Sequence, residues 1–94
     1  MNKTEIKHRL IEIGYPERHL DIVSNELLAI SDQLRPLMEK WIENGTEEDY
    51  AVRGYSLREL CECRNLKYPA AILTMDWLIK EPEIAIQHIS RKRR

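Results

Sequence analysis

The feature that most constrains this chain is a stripe of apolar residues at alternating steps of three and four, unbroken over three heptads. In water, such a stripe is typical of one face of a helix that packs on other parts of a fold. Pro16 suits a first helical turn and Gly45 suits the left-handed residue that ends a helix, so the sequence predicts one long helix over residues 16–44. The stripe consists of Leu20, Val23, Leu27, Ile30, Leu34, Leu37 and Trp41.

Pro36 lies inside this predicted helix and removes one of its hydrogen bonds, so we expect the helix to bend or break nearby. If it breaks, Ser31 or Asp32 is expected to cap the second piece. An unbroken helix would span roughly 40 Å, whereas a compact chain of this size has a diameter of roughly 32 Å, and the overhang would pack on a second molecule. The flanking positions lack the complementary charges of a zipper, which favours a core helix over a coiled-coil dimer.

A first helix is predicted before the long one. Asn2 and Glu5 have the spacing of a capping box, and Gly14 suits the end of the helix that they start. Because only a short connection separates Gly14 from Pro16, the sequence predicts an N-terminal helical hairpin over residues 3–44.

The C-terminal half has the spacing of a helix-turn-helix. Ser56 and Glu59 form a second capping-box pattern, and Asn65 suits the end of the helix that follows. Pro69 and Pro82 each begin a further helix, over residues 69–80 and 82–90, and the second of these is expected to face inward with Ala85, Ile86 and Ile89. Residues 50–55 stay ambiguous, because Tyr50, Val52 and Tyr55 are compatible with a short extended segment and Gly54 disfavours a helix through it.

These elements together predict an all-α fold of four or five helices. The helical hairpin would pack on the helix-turn-helix-like half, within a single small domain over residues 1–94. Residues 90–94 are predicted to form a disordered basic tail.

The distribution of charge limits the choice of partner. The net charge is −1, but residues 1–50 carry a net charge of −5 and residues 51–94 a net charge of +4.

The N-terminal residues are charged where a signal peptide would be apolar, and no apolar run reaches the length of a membrane span. Cys61 and Cys63 are spaced poorly for a disulfide and lack further ligands for zinc. We therefore predict a cytoplasmic protein with no membrane partner, no metal and no cofactor.

The predicted helix over residues 69–80 is apolar nearly all round, which is compatible equally with a central place in the core and with a half-exposed protein interface. No constellation of acid, base and nucleophile is present, so the sequence does not indicate an enzyme. The leading prediction is a protein-interaction module, with a homodimer as its simplest form. Its apolar surface would come from Trp41, Ile72, Met75, Trp77 and Ile79.

The alternative is a small nucleic-acid-binding regulator of helix-turn-helix type. Its second helix displays Thr74, Asp76 and Lys80, a poor set for reading base edges, and Asp76 would repel phosphate. Phosphate contacts would instead come from basic residues. These residues are Arg58, Arg64, Lys67, Arg91, Lys92, Arg93 and Arg94. The other interpretation of the basic tail is that it is solvated and binds nothing.

Overall fold

The computed structural model describes residues 1–91 of the chain. Over these residues the fold is mostly helical, with six α-helices and one two-stranded sheet, in agreement with the predicted all-α class. Contacts divide the chain into two compact units, of which the first covers Met1–Glu47 and the second begins at Glu48. Within the described residues, no helix combines the length and the apolar character that crossing a bilayer requires.

The first unit begins with α1 (Lys3–Glu12), which starts at the predicted capping box. The Asn2 side chain accepts a hydrogen bond from the Glu5 amide at 2.9 Å, and the Glu5 carboxylate accepts one from the Asn2 amide at 2.9 Å. Gly14 follows the helix with a φ of +76°, a conformation that side chains disfavour. The local signals for this helix are therefore confirmed.

The predicted long helix is broken, as the position of Pro36 led us to expect, and the break lies just before that residue. Residues 16–44 form a single 3-10 turn (Glu17–His19), then α2 (Leu20–Leu28), and after an interruption α3 (Arg35–Asn44). Pro36 is the second residue of α3, where its missing N–H costs nothing because the first-turn amides have no partner inside a helix. The cap is Leu34, with no side-chain hydrogen bond, so neither Ser31 nor Asp32 has the predicted role.

The apolar stripe nevertheless predicts burial correctly. All of its members are buried except Leu20, which is half-buried. A side chain is buried when it faces the core, and this does not require a helical backbone. The residues between α2 and α3 can therefore be buried although they are not helical. Arg9 ties α1 to α3, because its Nη2 donates to the carbonyl oxygen of Ile42 at 2.7 Å, near Gly45 at the end of α3.

The second unit opens with an antiparallel hairpin of β1 (Ala51–Val52) and β2 (Tyr55–Ser56). Arg53 and Gly54 form the two-residue turn, with φ values of +51° and +84°. Positive φ at both central residues is the signature of the turn type that matches the twist of paired strands. The segment that the sequence left open is thus a short β-hairpin.

Three helices follow, namely α4 (Leu57–Cys63), α5 (Tyr68–Lys80) and α6 (Pro82–Arg91). The Ser56 hydroxyl accepts from the Glu59 amide at 3.0 Å, and Asn65 takes a left-handed φ of +56° after α4 ends. The phenol of Tyr68 at the start of α5 donates to the carbonyl oxygen of Glu48 at 2.8 Å, next to the hairpin. The predicted boundaries in this half agree with the structure to within one or two residues.

Candidate protein-interaction surface

Three of the five predicted interaction residues lie in the core. Trp41 is 1% exposed, and the side chains of Ile72 and Met75 are fully buried. They cannot offer area to a partner while this fold is intact, because a neighbouring molecule reaches only surface atoms. Trp77 and Ile79 are half-buried. The apolar residues on all sides of α5 therefore have two environments. Those on one side face the core, and those on the other side stay accessible.

The accessible side of α5 carries Leu73 and Trp77, which are one turn apart and therefore neighbours on the helix surface. On α6, Ile84 and His88 are also one turn apart, and Ile84 is 55% exposed. The indole of Trp77 and the imidazole of His88 join the two helices, with ring centroids 5.1 Å apart and planes tilted by 57°. We call the surface formed by Leu73, Trp77, Ile84 and His88 the α5–α6 patch.

Polar contacts fix the edge of the α5–α6 patch. The indole Nε1 of Trp77 donates to the Glu81 carboxylate at 3.2 Å, which orients the ring. Lys80 forms an ion pair with Asp76 at 2.9 Å, where the Lys80 side chain is half exposed and the Asp76 side chain nearly buried. One cation, Lys80, and the carboxylate of Glu81 therefore lie within a turn of Trp77, and Glu83 at the start of α6 adds an exposed carboxylate.

Sequence reasoning missed Ile84 and His88. It expected Ala85, Ile86 and Ile89 on the inward side of the last helix, and the structure buries Ala85 and Ile89. An isoleucine one position before that inward series must point elsewhere on a helix, and this was the available signal for Ile84. Nothing local indicated His88, because its contact with Trp77 depends on how α6 folds back on α5.

The predicted phosphate-binding residues have different environments. Arg58 is exposed in the first turn of α4, and Lys67 is exposed at the start of α5. Arg64 is half-buried, and its Nη2 donates to the carbonyl oxygen of Ile89 at 2.7 Å, near the end of α6. The side chain of Arg91 and residues 92–94 lie outside the described part of the chain.

The helix-turn-helix spacing is present, since α4 and α5 are joined by residues 64–67 and pack on each other. The accessible stripe of α5 nevertheless carries Ala70, Leu73, Thr74 and Trp77, with no cation before Lys80. The Thr74 hydroxyl donates to the carbonyl oxygen of Ala70 at 2.9 Å, along its own helix. A helix that reads bases displays basic and amide side chains, and this stripe carries neither.

No protein-family model matches the chain, and neither the curated proteins nor the solved structures give a significant match.

Proposed function

We propose that this chain is a non-enzymatic, cytoplasmic protein-interaction module that associates with a second copy of itself through the α5–α6 patch. The observation that carries the proposal is the contact between Trp77 and His88, which joins the accessible sides of two helices into one surface. Aromatic side chains in such a position are favoured at the centres of protein interfaces.

The charges around the patch favour a second copy as the occupant. A two-fold contact places the same surface on both sides, so each charged side chain at the border faces the border of the other copy. Lys80, which pairs with Asp76 of its own chain, and Glu83 have opposite signs, and a two-fold axis can bring the lysine of one copy near the glutamate of the other. A polyanion would instead meet the carboxylates of Glu81 and Glu83.

The size of the surface sets the expected affinity. Two short helices offer less than the roughly 800 Å² per partner that is typical of a stable complex. Burial of a few apolar side chains must also offset the loss of translational and rotational freedom. We therefore expect a reversible dimer with a dissociation constant on the order of 10–100 μM.

Sedimentation velocity across a range from low to high micromolar protein concentration tests the proposal, with Ile84→Glu as the disruptive variant. Ile84 is the third residue of α6, where a glutamate suits the positive end of the helix dipole, so the helix itself is not weakened. In the dimer, the new carboxylate would be buried against an apolar surface. We expect the dissociation constant to rise by at least about tenfold.

Ile22→Glu is the matched control. Ile22 is likewise the third residue of its helix, α2, and its side chain is 59% exposed. It belongs to the first unit, so its substitution should leave the dissociation constant unchanged. A wild-type protein that stays monomeric at the highest concentration overturns the proposal, as does an equal effect of the two variants.

A second candidate function is nucleic-acid binding, favoured by the exposed Arg58 and Lys67 on a pair of helices with helix-turn-helix spacing. Under this alternative, a labelled random duplex binds with an affinity that falls as salt rises, because bound phosphates release counterions. Reversing the charges of residues 91–94 would abolish that binding. The absence of binding at low salt, together with dimerisation, would leave the first function.

A further inference from the structure

We infer that the β1–β2 hairpin and the first turn of α4 form a binding site for duplex nucleic acid, in which Arg53 and Arg58 contact the phosphates. The inference rests on nucleic-acid binding, the second candidate function, and its site shares no residue with the α5–α6 patch. Sequence reasoning selected Arg58 for phosphate contacts but not Arg53, whose backbone conformation is visible only in the fold.

Arg53 and Arg58 differ from the other arginines in what their side chains contact. Both are exposed, and neither guanidinium has a hydrogen bond or an ion pair among residues 1–91. Every other arginine whose side chain the structure describes donates to a carbonyl oxygen or to another side chain. These arginines are Arg9, Arg18, Arg35 and Arg64. The donors of Arg53 and Arg58 are therefore open to an acceptor outside the fold.

The backbone of Arg53 adopts a conformation that arginine disfavours. Its φ is +51°, in the left-handed region that glycine and asparagine occupy more readily. Asparagine followed by glycine suits this two-residue turn, so an arginine before Gly54 costs stability. Non-glycine residues in such conformations cluster where a residue acts on a ligand, and here the strained residue carries an exposed, unpaired cation.

Backbone contacts fix Arg53 and Arg58 on one rigid element. The two strands pair in antiparallel register, and beyond them the Leu57 amide donates to the carbonyl oxygen of Tyr50 at 2.9 Å. The Arg58 amide then donates to Oδ1 of Asp49 at 2.9 Å, which joins the first turn of α4 to the opposite side of the hairpin. Five residues span at most roughly 17 Å. A duplex carries one charge per about 1.7 Å of its axis, so one duplex can offer phosphates to both arginines.

The charges around this element are compatible with a polyanion. The carboxylate of Asp49 accepts hydrogen bonds from two backbone amides, those of Tyr50 and Arg58, each at 2.9 Å. It therefore stabilises the backbone of the hairpin and forms no ion pair with the Arg58 guanidinium. Over residues 51–94 the net charge is +4, which attracts a polyanion to this half of the chain.

The surface chemistry favours a duplex over a single strand. Proteins hold single strands through exposed aromatic rings on which the bases stack. Near this element, Tyr55 and Tyr68 are buried and Tyr50 is half-buried. In a helix-turn-helix, moreover, the first helix crosses the backbone of the duplex, and α4 has that position here. Contacts with phosphates alone do not read sequence, so the binding should not depend on base composition.

Fluorescence anisotropy of a labelled random duplex tests the inference, with Arg53→Asn as the first variant. Asparagine removes the cation but suits the positive φ, so this variant should bind more weakly although its fold is more stable. At about 50 mM salt, the loss of one phosphate contact should raise the dissociation constant by about tenfold and reduce the log–log salt slope by about 0.9. A thermal midpoint at or above that of the wild type shows that unfolding does not cause the loss.

Arg58→Gln is the second variant, and it should weaken binding by a similar factor because glutamine keeps the helix. Arg18→Asn is the matched control. It removes the same charge from an exposed arginine of the first unit, whose Nε donates to His19, and it should leave the dissociation constant unchanged.

Duplex binding that Arg53→Asn and Arg58→Gln leave intact, or that Arg18→Asn weakens equally, overturns the site alone. Tighter binding of a single strand of the same length overturns the duplex as its ligand. A wild type that binds no duplex even at low salt overturns the second candidate function together with the site. Self-association is measured without nucleic acid, so none of these outcomes affects it.

Discussion

Ser24 is a buried hydroxyl that the fold would be more stable without. Its side chain is 0% exposed on α2, and its Oγ has no hydrogen-bond partner among the described residues. The other buried residues of the helix, Val23 and Leu27, are apolar. A polar group taken from water without a compensating bond costs free energy, so we expect Ser24→Ala to stabilise the protein.

The magnitude follows from three contributions. Removing a buried, unbonded hydroxyl stabilises by about 1–3 kcal/mol in measurements on protein variants. Alanine adds about 0.5 kcal/mol through its higher helix propensity. Against this, a void of the size of one oxygen, about 15 Å³, costs about 0.3 kcal/mol at the usual cavity coefficient. The free energy of unfolding should therefore rise by about 1–3 kcal/mol.

Urea unfolding followed by far-ultraviolet circular dichroism measures this change. With a typical m value of about 2 kcal/mol/M, the midpoint should rise by roughly 0.5–1.5 M. Ser56→Ala is the control with the same chemical change and the opposite sign. Its hydroxyl accepts from the Glu59 amide at the start of α4, and losing that cap should destabilise by about 1 kcal/mol.

A lower midpoint for Ser24→Ala would refute the reasoning, because it would mean that the hydroxyl is hydrogen-bonded in solution. Either outcome can be interpreted only if the variant has the same m value as the wild type, since a changed m value signals a different unfolded or native state.

Three further predictions concern other contacts. Arg9→Met keeps the aliphatic bulk but removes the 2.7 Å bond to the Ile42 carbonyl, and it should lower the free energy of unfolding by about 1–2 kcal/mol in urea. Arg53→Asn places a residue that tolerates positive φ at the hairpin turn, and it should raise the thermal midpoint by about 2–4 °C. Hydrogen bonds from two lysines of α1 hold the pKa of Asp21 below 3.8. Because this pKa is depressed on folding, its stabilising contribution is present above 3.8 and lost as the pH falls through the folded value. Asp21→Asn should remove that part of the acid dependence in urea midpoints measured from about pH 5 to about pH 2.

Local chemistry in the sequence determined where most helices begin and end. Asn2 with Glu5, and Ser56 ahead of Glu59, satisfy free amides within a few residues of themselves, so their effect does not depend on the rest of the fold. Gly45 likewise ends α3 in the left-handed conformation that the sequence predicts, with a φ of +72°. The spacing of the apolar stripe also identified buried residues, because burial follows the side on which a residue lies.

The tertiary structure decided what local patterns leave open. A stripe of period three to four is compatible both with one helix and with two helices joined by a buried turn. Packing within the first unit favours the two joined helices. The apolar composition of α5 does not say which side faces the core. The sequence therefore could not show that Ile72 and Met75 are buried while Trp77 stays accessible. The contact between Trp77 and His88 joins residues on different helices, and only the angle at which α6 returns along α5 brings these two rings together. Contacts of this kind depend on the sum of packing over the whole unit, which no single stretch of sequence specifies.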